Sequence, residues 1–481
     1  MAVSLNSTLH LRLHPSVHLL SDNADLLIAH SSGSALRQSK PSSAVRSFLQ
    51  HLAETGGSTE ELISTAKTIE PEFKRERIDY LLFLLHARSW LSYGLRQGTQ
   101  ILTTLVPMAS SYSHMPVDLT AKNYRLSRFA WMRREGDTIL LECGLGESRL
   151  ILNDERIVTA VGLLTCPQNP ESLATSLPGL TTTITSTFIT LLANAKVAFQ
   201  CNADGSIPED VDPILCQWEY HDLMFHSRSR LGRQDYPMGS TFRFAEIQAH
   251  APALKPASGG GRVALPMPDF MEAGPGIFSV IEMRRSIRDA NVEPLTLEQL
   301  GCLLWNVCRV KSHHPSISSD AHQYETTHRP VASAGAMHEL EFYLTVSQCA
   351  DLKSALYRYD PMEHQLECIS ETNKYTDALL SNAMRCAGLE STPNVLITLT
   401  ARFGRMNWKY QGMSYAATLK NVGVVYQQIY LVATALGIAP CALGAGDSDL
   451  FATAIGANYY EETSVGEFLL SSSNVVANEY L

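Results

Sequence analysis

The stretch RRSIRDANVEPLTLEQLGCLL, at residues 284–304, is the most informative segment of the chain about its architecture. It opens on a dense group of basic and hydroxyl side chains: Arg284, Arg285, Ser286 and Arg288. At the start of a helix, such a group would combine fixed positive charge with free backbone N–H groups, which suits a phosphate. Thr296 and Gln299 have capping-box spacing and predict the start of a second helix. A solvated, charged helix end would have the same composition, so the cluster alone does not define a site.

Composition predicts a multidomain cytoplasmic protein. The chain has 481 residues and a formal net charge of −10, from 38 Lys plus Arg and 48 Asp plus Glu. This length favours roughly two to four domains, and the acidic balance argues against a nucleic-acid partner. The ten cysteines follow no disulfide or zinc spacing, which predicts reduced thiols and no metal site. No signal peptide is expected, because the first residues lack a basic region and a long apolar run. No membrane span is expected, because the most apolar window, residues 181–200, contains six threonines and a lysine.

The N-terminal half has the pattern of two small winged-helix-like domains. Residues 1–115 show a β-hairpin pattern followed by three expected helices, at 43–53, 58–67 and 70–91. Residues 116–235 repeat this order, with helices expected at 153–164, 181–199 and 215–230. The mixed charge of the third helix favours binding of an extended peptide over binding of DNA. Residues 236–275 are rich in Pro, Gly and Ala, and predict a linker that is free or covers the domain at 276–481.

Two segments of the C-terminal domain are candidates for a binding site, and the small side chains of the first would let its backbone approach a flat ring closely. The first run contains Ser333, Ala334 and Gly335, and leads into a strand expected at 341–346. The second follows a long apolar helix expected at 415–436, and consists of Cys441, Ala442, Leu443 and Gly444. A tight turn before a core strand is the alternative interpretation of the first run.

The adjacent residues Lys409 and Tyr410, in NWKYQGMSY, are the candidate catalytic pair. A phenol beside an ammonium can act as a base, and so can a desolvated lysine; the sequence leaves open which one does. A surface lysine beside a tyrosine packed on Trp408 is the non-catalytic alternative. The ordered motifs RRSIR, ASAGA and GIAPCALG resemble those of nitroreductase-type flavin enzymes. The Lys-Tyr pair, PLTLEQL and HDLMFHSRSRLG resemble the SagB-type azoline dehydrogenases, and HELEFY resembles the cyanobactin oxidases among them.

This resemblance implies an α+β fold, with an FMN-binding nitroreductase-like domain after two winged-helix units similar to peptide-recognition elements. In that domain a central mixed sheet would be flanked by helices. The resemblance also implies a homodimer, dioxygen as electron acceptor, and a precursor peptide with thiazolines or oxazolines as partner, with or without contact to its leader. By motif position, the arginine–serine cluster would contact the flavin phosphate, ribityl chain or ring carbonyls. Ser333–Gly335 would line the ring, and Cys441–Gly444 would approach it from the other side. Ala332 replaces the usual proline, which puts the rigidity of that turn in doubt.

Two other functions fit the same sequence. The first is a general NAD(P)H-dependent nitro- or quinone reductase, which would use the same flavin site without the Lys409–Tyr410 chemistry. The second is a non-enzymatic winged-helix peptide-binding protein whose flavin domain has decayed. Absorbance of bound flavin separates the second from the other two, because the flavin carries the redox chemistry of the site.

Overall fold

The structure, a computed structural model, describes residues 9–22, 24–268, 274–288, 293–316 and 322–472. It consists of two compact units, one ending at Tyr236 and one beginning at Pro237. Among the described residues, no helix combines the length and apolar character needed to cross a membrane. All ten cysteines are free thiols.

The first unit mixes short strands and helices. Its strands are β1 (Leu9–Leu13), β2 (Val17–Asp22), β3 (Asp25–His30), β4 (Ala35–Gln38), β5 (Leu91–Gln97), β6 (Gln100–Pro107), β7 (Tyr124–Leu126), β8 (Ala130–Glu135), β9 (Thr138–Cys143), β10 (Ser148–Leu152) and β11 (Ala198–Gln200). Its helices are α1 (Ser43–Glu54), α2 (Thr59–Ile69), α3 (Arg75–His86), α4 (Glu155–Leu163), α5 (Pro170–Ser176), α6 (Thr182–Asn194), α7 (Pro208–Val211) and α8 (Tyr220–Arg228). A capping box between Ser58 and Glu61 fixes the start of α2, as the sequence predicted.

A six-stranded sheet in the order β1-β5-β6-β10-β9-β8 organises this unit. Its central pairing joins β6 to β10 in antiparallel register, with Leu105 opposite Leu150. Both leucines are fully buried. Because β6 and β10 come from the two predicted winged-helix domains, their strands share one sheet, and two separate winged-helix domains are not confirmed. Local periodicity cannot reveal such a pairing, since it depends on contacts between segments far apart in the chain.

Three predicted helices of this unit are shorter than expected. The pattern over 215–230 is not one helix, because a 3₁₀ turn at Leu215–Gln217 is separated from α8 by extended backbone at Trp218 and Glu219. The helix expected over 181–199 ends at Asn194, and its last residues form β11. The helix expected over 70–91 is α3, after which the chain enters β5. In the last two cases a strand takes residues whose apolar spacing also fits a helix.

The second unit contains the longest helix and the largest sheet among the described residues. Its strands are β12 (Gly239–Ser240), β13 (Arg262–Ala264), β14 (Ser312–His314), β15 (Thr326–His328), β16 (Leu340–Val346), β17 (Ala355–Asp360), β18 (Gln365–Glu371), β19 (Val395–Arg402), β20 (Tyr410–Gln411), β21 (Ile438–Ala442) and β22 (Glu462–Ser472). Its helices are α9 (Ile277–Met283), α10 (Leu297–Cys308), α11 (Lys374–Ala387), α12 (Phe403–Lys409), α13 (Ser414–Ala435) and α14 (Ser448–Ile455). Thr296 caps α10 and shares a capping box with Gln299, as predicted.

Helices cover both faces of the seven-stranded sheet β13-β18-β17-β16-β19-β22-β21. On one face, α10 and α13 bury Leu304 and Ile429 in the main core. On the other, α11 and α14 bury Leu379 and Phe451 in a second core. The α+β class and the sheet flanked by helices are therefore confirmed. The prediction of a mixed sheet is wrong for the described strands, because every pair in this sheet is antiparallel.

The predicted linker packs on the second unit along residues 237–268. Strand β12 pairs with β20, and β13 pairs with the edge strand β18. The Pro256 carbonyl accepts a hydrogen bond from Arg358 at 2.9 Å. Of the two arrangements the sequence allowed, this part of the segment follows the one that covers the C-terminal domain.

Candidate active site

Lys409 and Tyr410 lie where α12 ends and β20 begins. The buried strand β19 leads directly into α12, so the pair follows the centre of the sheet. Gly412 then turns the chain toward α13 with a φ of +72°, a conformation that favours glycine. Only 9% of Lys409 is exposed to solvent, so a surface lysine is excluded.

Gly335 brings the first small-residue run against this pair. Its φ is +58°, and a Cβ atom there would lie 2.4 Å from the Tyr410 hydroxyl and 2.5 Å from the Lys409 Nζ. Both distances are shorter than real contacts, so a side chain here would displace the ends of Lys409 and Tyr410, and the positive φ also favours glycine. The segment predicted to line a ring and the candidate catalytic pair therefore meet at one point.

Aromatic rings surround the Lys409 ammonium. Its Nζ lies 4.6 Å from the ring centroid of Tyr324, 5.2 Å from that of Tyr410 and 5.7 Å from that of Phe242. An ammonium near the face of such rings is attracted by their quadrupole. Sequence analysis did not select Phe242, which lies in the segment interpreted as a linker, or Tyr324. No local pattern marks either residue.

A buried polar network holds the segment at Ser333–Gly335 in place. Asn421 of α13 accepts a hydrogen bond from the Ala334 N–H at 3.1 Å and donates to Glu339 at 2.8 Å. The Ser333 hydroxyl donates to the other Glu339 oxygen at 3.2 Å. Burial raises the pKa of Glu339, an effect that its hydrogen bonds from Asn421 and Ser333 oppose. Asn421 was not predicted, although an amide inside an otherwise apolar helix is a signal that could have found it.

Arg405 holds the residues that follow the Ser333–Gly335 segment. Its buried guanidinium donates to the Met337 carbonyl at 2.7 Å and to the Ala251 carbonyl at 2.5 Å. Burial lowers the pKa of Arg405 to about 9, with the nearby Arg402 and Arg329 adding to the effect, so the group is still a cation at neutral pH. Removing it would leave buried carbonyls without a donor, which is costly.

The arginine–serine cluster does not begin a helix, which corrects the sequence prediction. Helix α9 ends at Met283, and residues 284–288 have no regular secondary structure. Instead the Ile287 N–H donates to the Pro440 carbonyl at 2.9 Å, so this segment runs along β21. That contact with the sheet replaces the helical hydrogen bonds that the prediction assumed. An anion here would be held by guanidinium groups rather than by a helix N-terminus.

Tyr430 of α13 joins the cluster to the second small-residue run. Its hydroxyl lies 2.7 Å from the Ser286 hydroxyl and accepts a hydrogen bond from the Ala442 N–H at 2.9 Å. The Arg284 guanidinium lies 5.2 Å from the Tyr430 ring centroid. No ion pair among the described residues involves Arg284 or Arg288.

The Cys441–Gly444 segment continues from β21. Burial raises the pKa of the Cys441 thiol, which Arg288 opposes, so the thiol is protonated and unsuited to act as a nucleophile. The Leu443 N–H donates to the Glu467 carbonyl at 2.9 Å. Gly444 has open space where a side chain would begin, which leaves its backbone accessible.

The predicted residues form two groups that meet opposite sides of α13. Asn421 touches the group around Gly335 and Lys409, whereas Tyr430 touches the group around Ser286 and Ala442. Nine residues span about two and a half helical turns and about 13.5 Å, so these two contacts face opposite directions. Within one chain, Lys409 and Tyr410 lie against Gly335, whereas the arginine cluster contacts the opposite side of α13.

The residues of these groups fit FMN in their chemistry. Arg284, Ser286 and Arg288 supply cationic and hydroxyl donors for a phosphate. Gly335 supplies a surface without a side chain, which a flat ring can approach. A cavity of about 710 Å³ elsewhere in this unit is lined by Arg358 and Arg405 but by neither residue of the catalytic pair. No group of three potential metal ligands was found in the described ranges.

Comparison with known proteins defines the class of this fold and site. Residues 281–466 match the model of the nitroreductase family, whose members commonly bind FMN. Residues 124–235 match the model described as cyanobactin oxidase ThcOx. Two segments of the chain therefore match these two family models, which confirms the resemblance predicted from the sequence. Both matches support an oxidoreductase.

Individual relatives are distant. A Methanocaldococcus jannaschii protein assigned by its name to the nitroreductases is 28% identical over 186 residues, which cover 39% of this chain and 86% of the relative. The E. coli microcin synthetase McbBCD complex with truncated pro-MccB17 bound is 19% identical, with 52% of this chain and 91% of that chain covered and a TM-score of 0.33. A nitroreductase-type structure from Exiguobacterium sibiricum in complex with FMN is 13% identical, with 44% and 93% covered and a TM-score of 0.29.

Proposed function

We propose that this chain is an FMN-dependent oxidase that converts thiazolines or oxazolines in ribosomal precursor peptides into thiazoles or oxazoles, as in cyanobactin biosynthesis. The observation that carries the proposal is the convergence of Lys409 and Tyr410 on Gly335. A reductase that only passes electrons through a flavin does not need a buried lysine–tyrosine pair at its ring-lining turn. The match of residues 124–235 to cyanobactin oxidase ThcOx supports the same reaction.

The reaction removes two hydrogens from each ring. A base takes the proton from the Cα carbon of the azoline, and a hydride leaves the neighbouring carbon as the ring becomes aromatic. FMN, when bound, supplies the acceptor for the hydride and passes two electrons to dioxygen. The protein must therefore orient the ring, exclude water and hold a base at the Cα carbon.

Tyr410 is the proposed base, and Lys409 is the proposed cation beside it. The Lys409 ammonium lies among three rings and contacts the Tyr324 hydroxyl, an environment that stabilises a positive charge. A nearby cation favours the ionised form of a phenol. This division of labour uses both residues and leaves the Tyr410 oxygen to meet the substrate.

A homodimer is the proposed working form. The two predicted flavin-contacting groups meet opposite sides of α13, so a second copy is needed to join the arginine cluster of one protomer to the Gly335 site of the other. Apolar side chains are exposed on the same helices: Ile277, Phe278 and Ile281 of α9, and Leu419 and Val424 of α13. Phe278 alone is 82% exposed, which is unfavourable unless another surface covers it.

The test is mass spectrometry of a heterocyclised peptide incubated in air with the purified protein. We expect the peptide to lose about 2 Da per ring, because two hydrogens are removed. We also expect the protein itself to show flavin absorbance at about 450 nm. A colourless protein that binds the peptide without changing it would instead favour a non-enzymatic peptide-binding function. The ten free thiols fit the proposed cytoplasmic location, which fractionation of cells would check.

A general NAD(P)H-dependent nitro- or quinone reductase is the second candidate. It is favoured by the nitroreductase-family match over residues 281–466 and by the name of the M. jannaschii relative. Rapid oxidation of NADPH with a quinone, together with no change in an azoline peptide, would establish this activity instead. The buried position of Lys409 has no role in that chemistry, which is why we place it second.

A further inference from the structure

A tyrosine that the sequence did not single out contacts both halves of the proposed site. The Tyr324 hydroxyl donates a hydrogen bond to the Gly335 carbonyl at 3.0 Å, and it also contacts the Lys409 Nζ. A phenol has one proton to donate, whereas an ammonium can only donate. The direction of both hydrogen bonds is therefore fixed: Lys409 donates to the Tyr324 oxygen, and Tyr324 donates to the Gly335 carbonyl.

The Tyr324 ring is itself held between neighbours from two other segments. Its centroid lies 5.2 Å from that of His250, 5.9 Å from that of Trp408 and 6.3 Å from that of Phe242. Trp408 immediately precedes Lys409, and its indole N–H donates to the Gln248 carbonyl at 2.9 Å. The ring thus has neighbours on α12 and on the segment that covers this unit, so its hydroxyl has little freedom to move.

The backbone of Phe242 indicates that the group of residues around Tyr324 has a function. It has a φ of +51°, which is uncommon and costly for an aromatic residue. Its N–H donates to the Lys409 carbonyl at 3.1 Å, while its ring lies near the Lys409 ammonium. The covering segment therefore touches the backbone and the side chain of the same lysine.

We infer that Tyr324 is a positioning residue, whose hydroxyl fixes the Lys409 ammonium against the Gly335 backbone. A lysine side chain has a flexible four-carbon stem, and burial alone does not select one position for its charge. With the hydroxyl in place, the ammonium is held next to the Tyr410 oxygen, where it can assist proton removal. Tyr324 acts through Lys409, so it affects turnover more than peptide binding.

The experiment replaces only the hydroxyl, in Tyr324→Phe, and keeps the ring. The activity readout of this experiment is azole formation, so it rests on the proposed function. We expect the kcat for azole formation to fall about 10- to 100-fold, the usual effect of losing a charge-assisted hydrogen bond, while flavin content and the KM for the peptide stay within about twofold. Tyr375→Phe, on α11 and far along the chain from the site residues, is the matched control and should keep full activity. An unchanged kcat in Tyr324→Phe overturns the inference.

A second readout does not depend on the activity. Acetylation of Lys409 by N-hydroxysuccinimide acetate is followed by mass spectrometry, with Lys353, whose side chain is 71% exposed, as the internal reference. We expect Lys409 to react several-fold faster in Tyr324→Phe than in the wild type, and Lys353 to react at the same rate in both. Equal Lys409 rates overturn the positioning role. If wild-type protein leaves azolines unchanged, the proposed function fails, and the labelling result alone decides the role of Tyr324.

Discussion

At the scale of single residues, Gly335 links the chemistry to the backbone. Its left-handed φ and the missing side chain allow Lys409 and Tyr410 to reach the turn predicted to line a ring. The sequence allowed these residues to be selected, because the pair and the small-residue run each have a recognisable composition. It did not allow Phe242, Tyr324 or Asn421 to be selected, since their roles arise only from contacts across long separations in the chain.

Substitutions of Lys409 separate a cation from a base. Lys409→Arg keeps a positive charge that does not lose its proton, so we expect it to retain about a tenth of wild-type azole formation. Lys409→Met keeps the volume without the charge, and should lower activity more than about 100-fold with flavin still bound. Mass spectrometry of the product checks both variants. Two equally inactive variants with normal flavin content would mean that Lys409 itself is the base.

His338 makes the stability of the fold sensitive to acid. Burial lowers its pKa to about 3, and the neighbouring Arg329 and Arg405 add to this effect. The unfolded chain therefore binds a proton that the folded chain does not, and the stability present above about pH 6.5 is lost as pH falls toward 3. His338→Asn removes this loss, and Asn tolerates the left-handed φ of +43° at this position.

Thermal unfolding at pH 7.5, 6.5, 5.5 and 4.5 measures the effect. We expect the Tm of His338→Asn to fall less steeply with acid than that of the wild type. His221, whose side chain is 73% exposed, provides the control, and His221→Asn should follow the wild-type curve. Parallel curves for wild type and His338→Asn would contradict the assignment.

At the scale of elements, local signals placed a helix start well where a capping box marks it. The capping boxes at Ser58 and Thr296 are present as predicted, because the cap is encoded by residues three positions apart. The arginine cluster was assigned to a helix start, but its segment follows β21. Two separate winged-helix domains are not confirmed for a similar reason, since the pairing of β6 with β10 depends on a partner strand that no local pattern identifies.

The irregular segment after α9 should control flavin retention. Arg284→Ala combined with Arg288→Ala removes two cations that have no ion pair among the described residues, so we expect at least about a tenfold loss of bound flavin. Absorbance of the purified protein measures the flavin content. Lys353→Ala combined with Lys374→Ala removes the same net charge elsewhere in the unit, and should keep flavin. Full occupancy in the double arginine variant would refute a role in phosphate binding.

At the scale of the whole molecule, the proposed flavin site requires two copies of the chain. The helix α13 was predicted as a long apolar helix, yet Leu419 and Val424 on its surface are exposed in the single chain. Because its two sides meet the two halves of the predicted flavin site, a partner that covers the exposed side also completes the site. The sequence predicted the helix but could not indicate which of its sides lacks a partner.

Leu419→Asp tests the dimer. A charge on this apolar surface should prevent association, so we expect a monomer by light scattering after size-exclusion chromatography, with loss of bound flavin. Tyr80→Asp, at a residue of α3 that is 60% exposed, is the control and should leave both properties unchanged. A monomeric variant with full flavin content would contradict a site shared between protomers.

The most direct test of the central claim compares the wild type with the double variant Lys409→Ala, Tyr410→Phe. Both proteins are adjusted to equal flavin content and incubated in air with one heterocyclised peptide, and the mass of the peptide is followed with time. We expect the wild type to lower the peptide mass by about 2 Da per azoline ring, whereas the double variant should keep its flavin and leave the peptide unchanged. A double variant that forms azoles at the wild-type rate would contradict this claim.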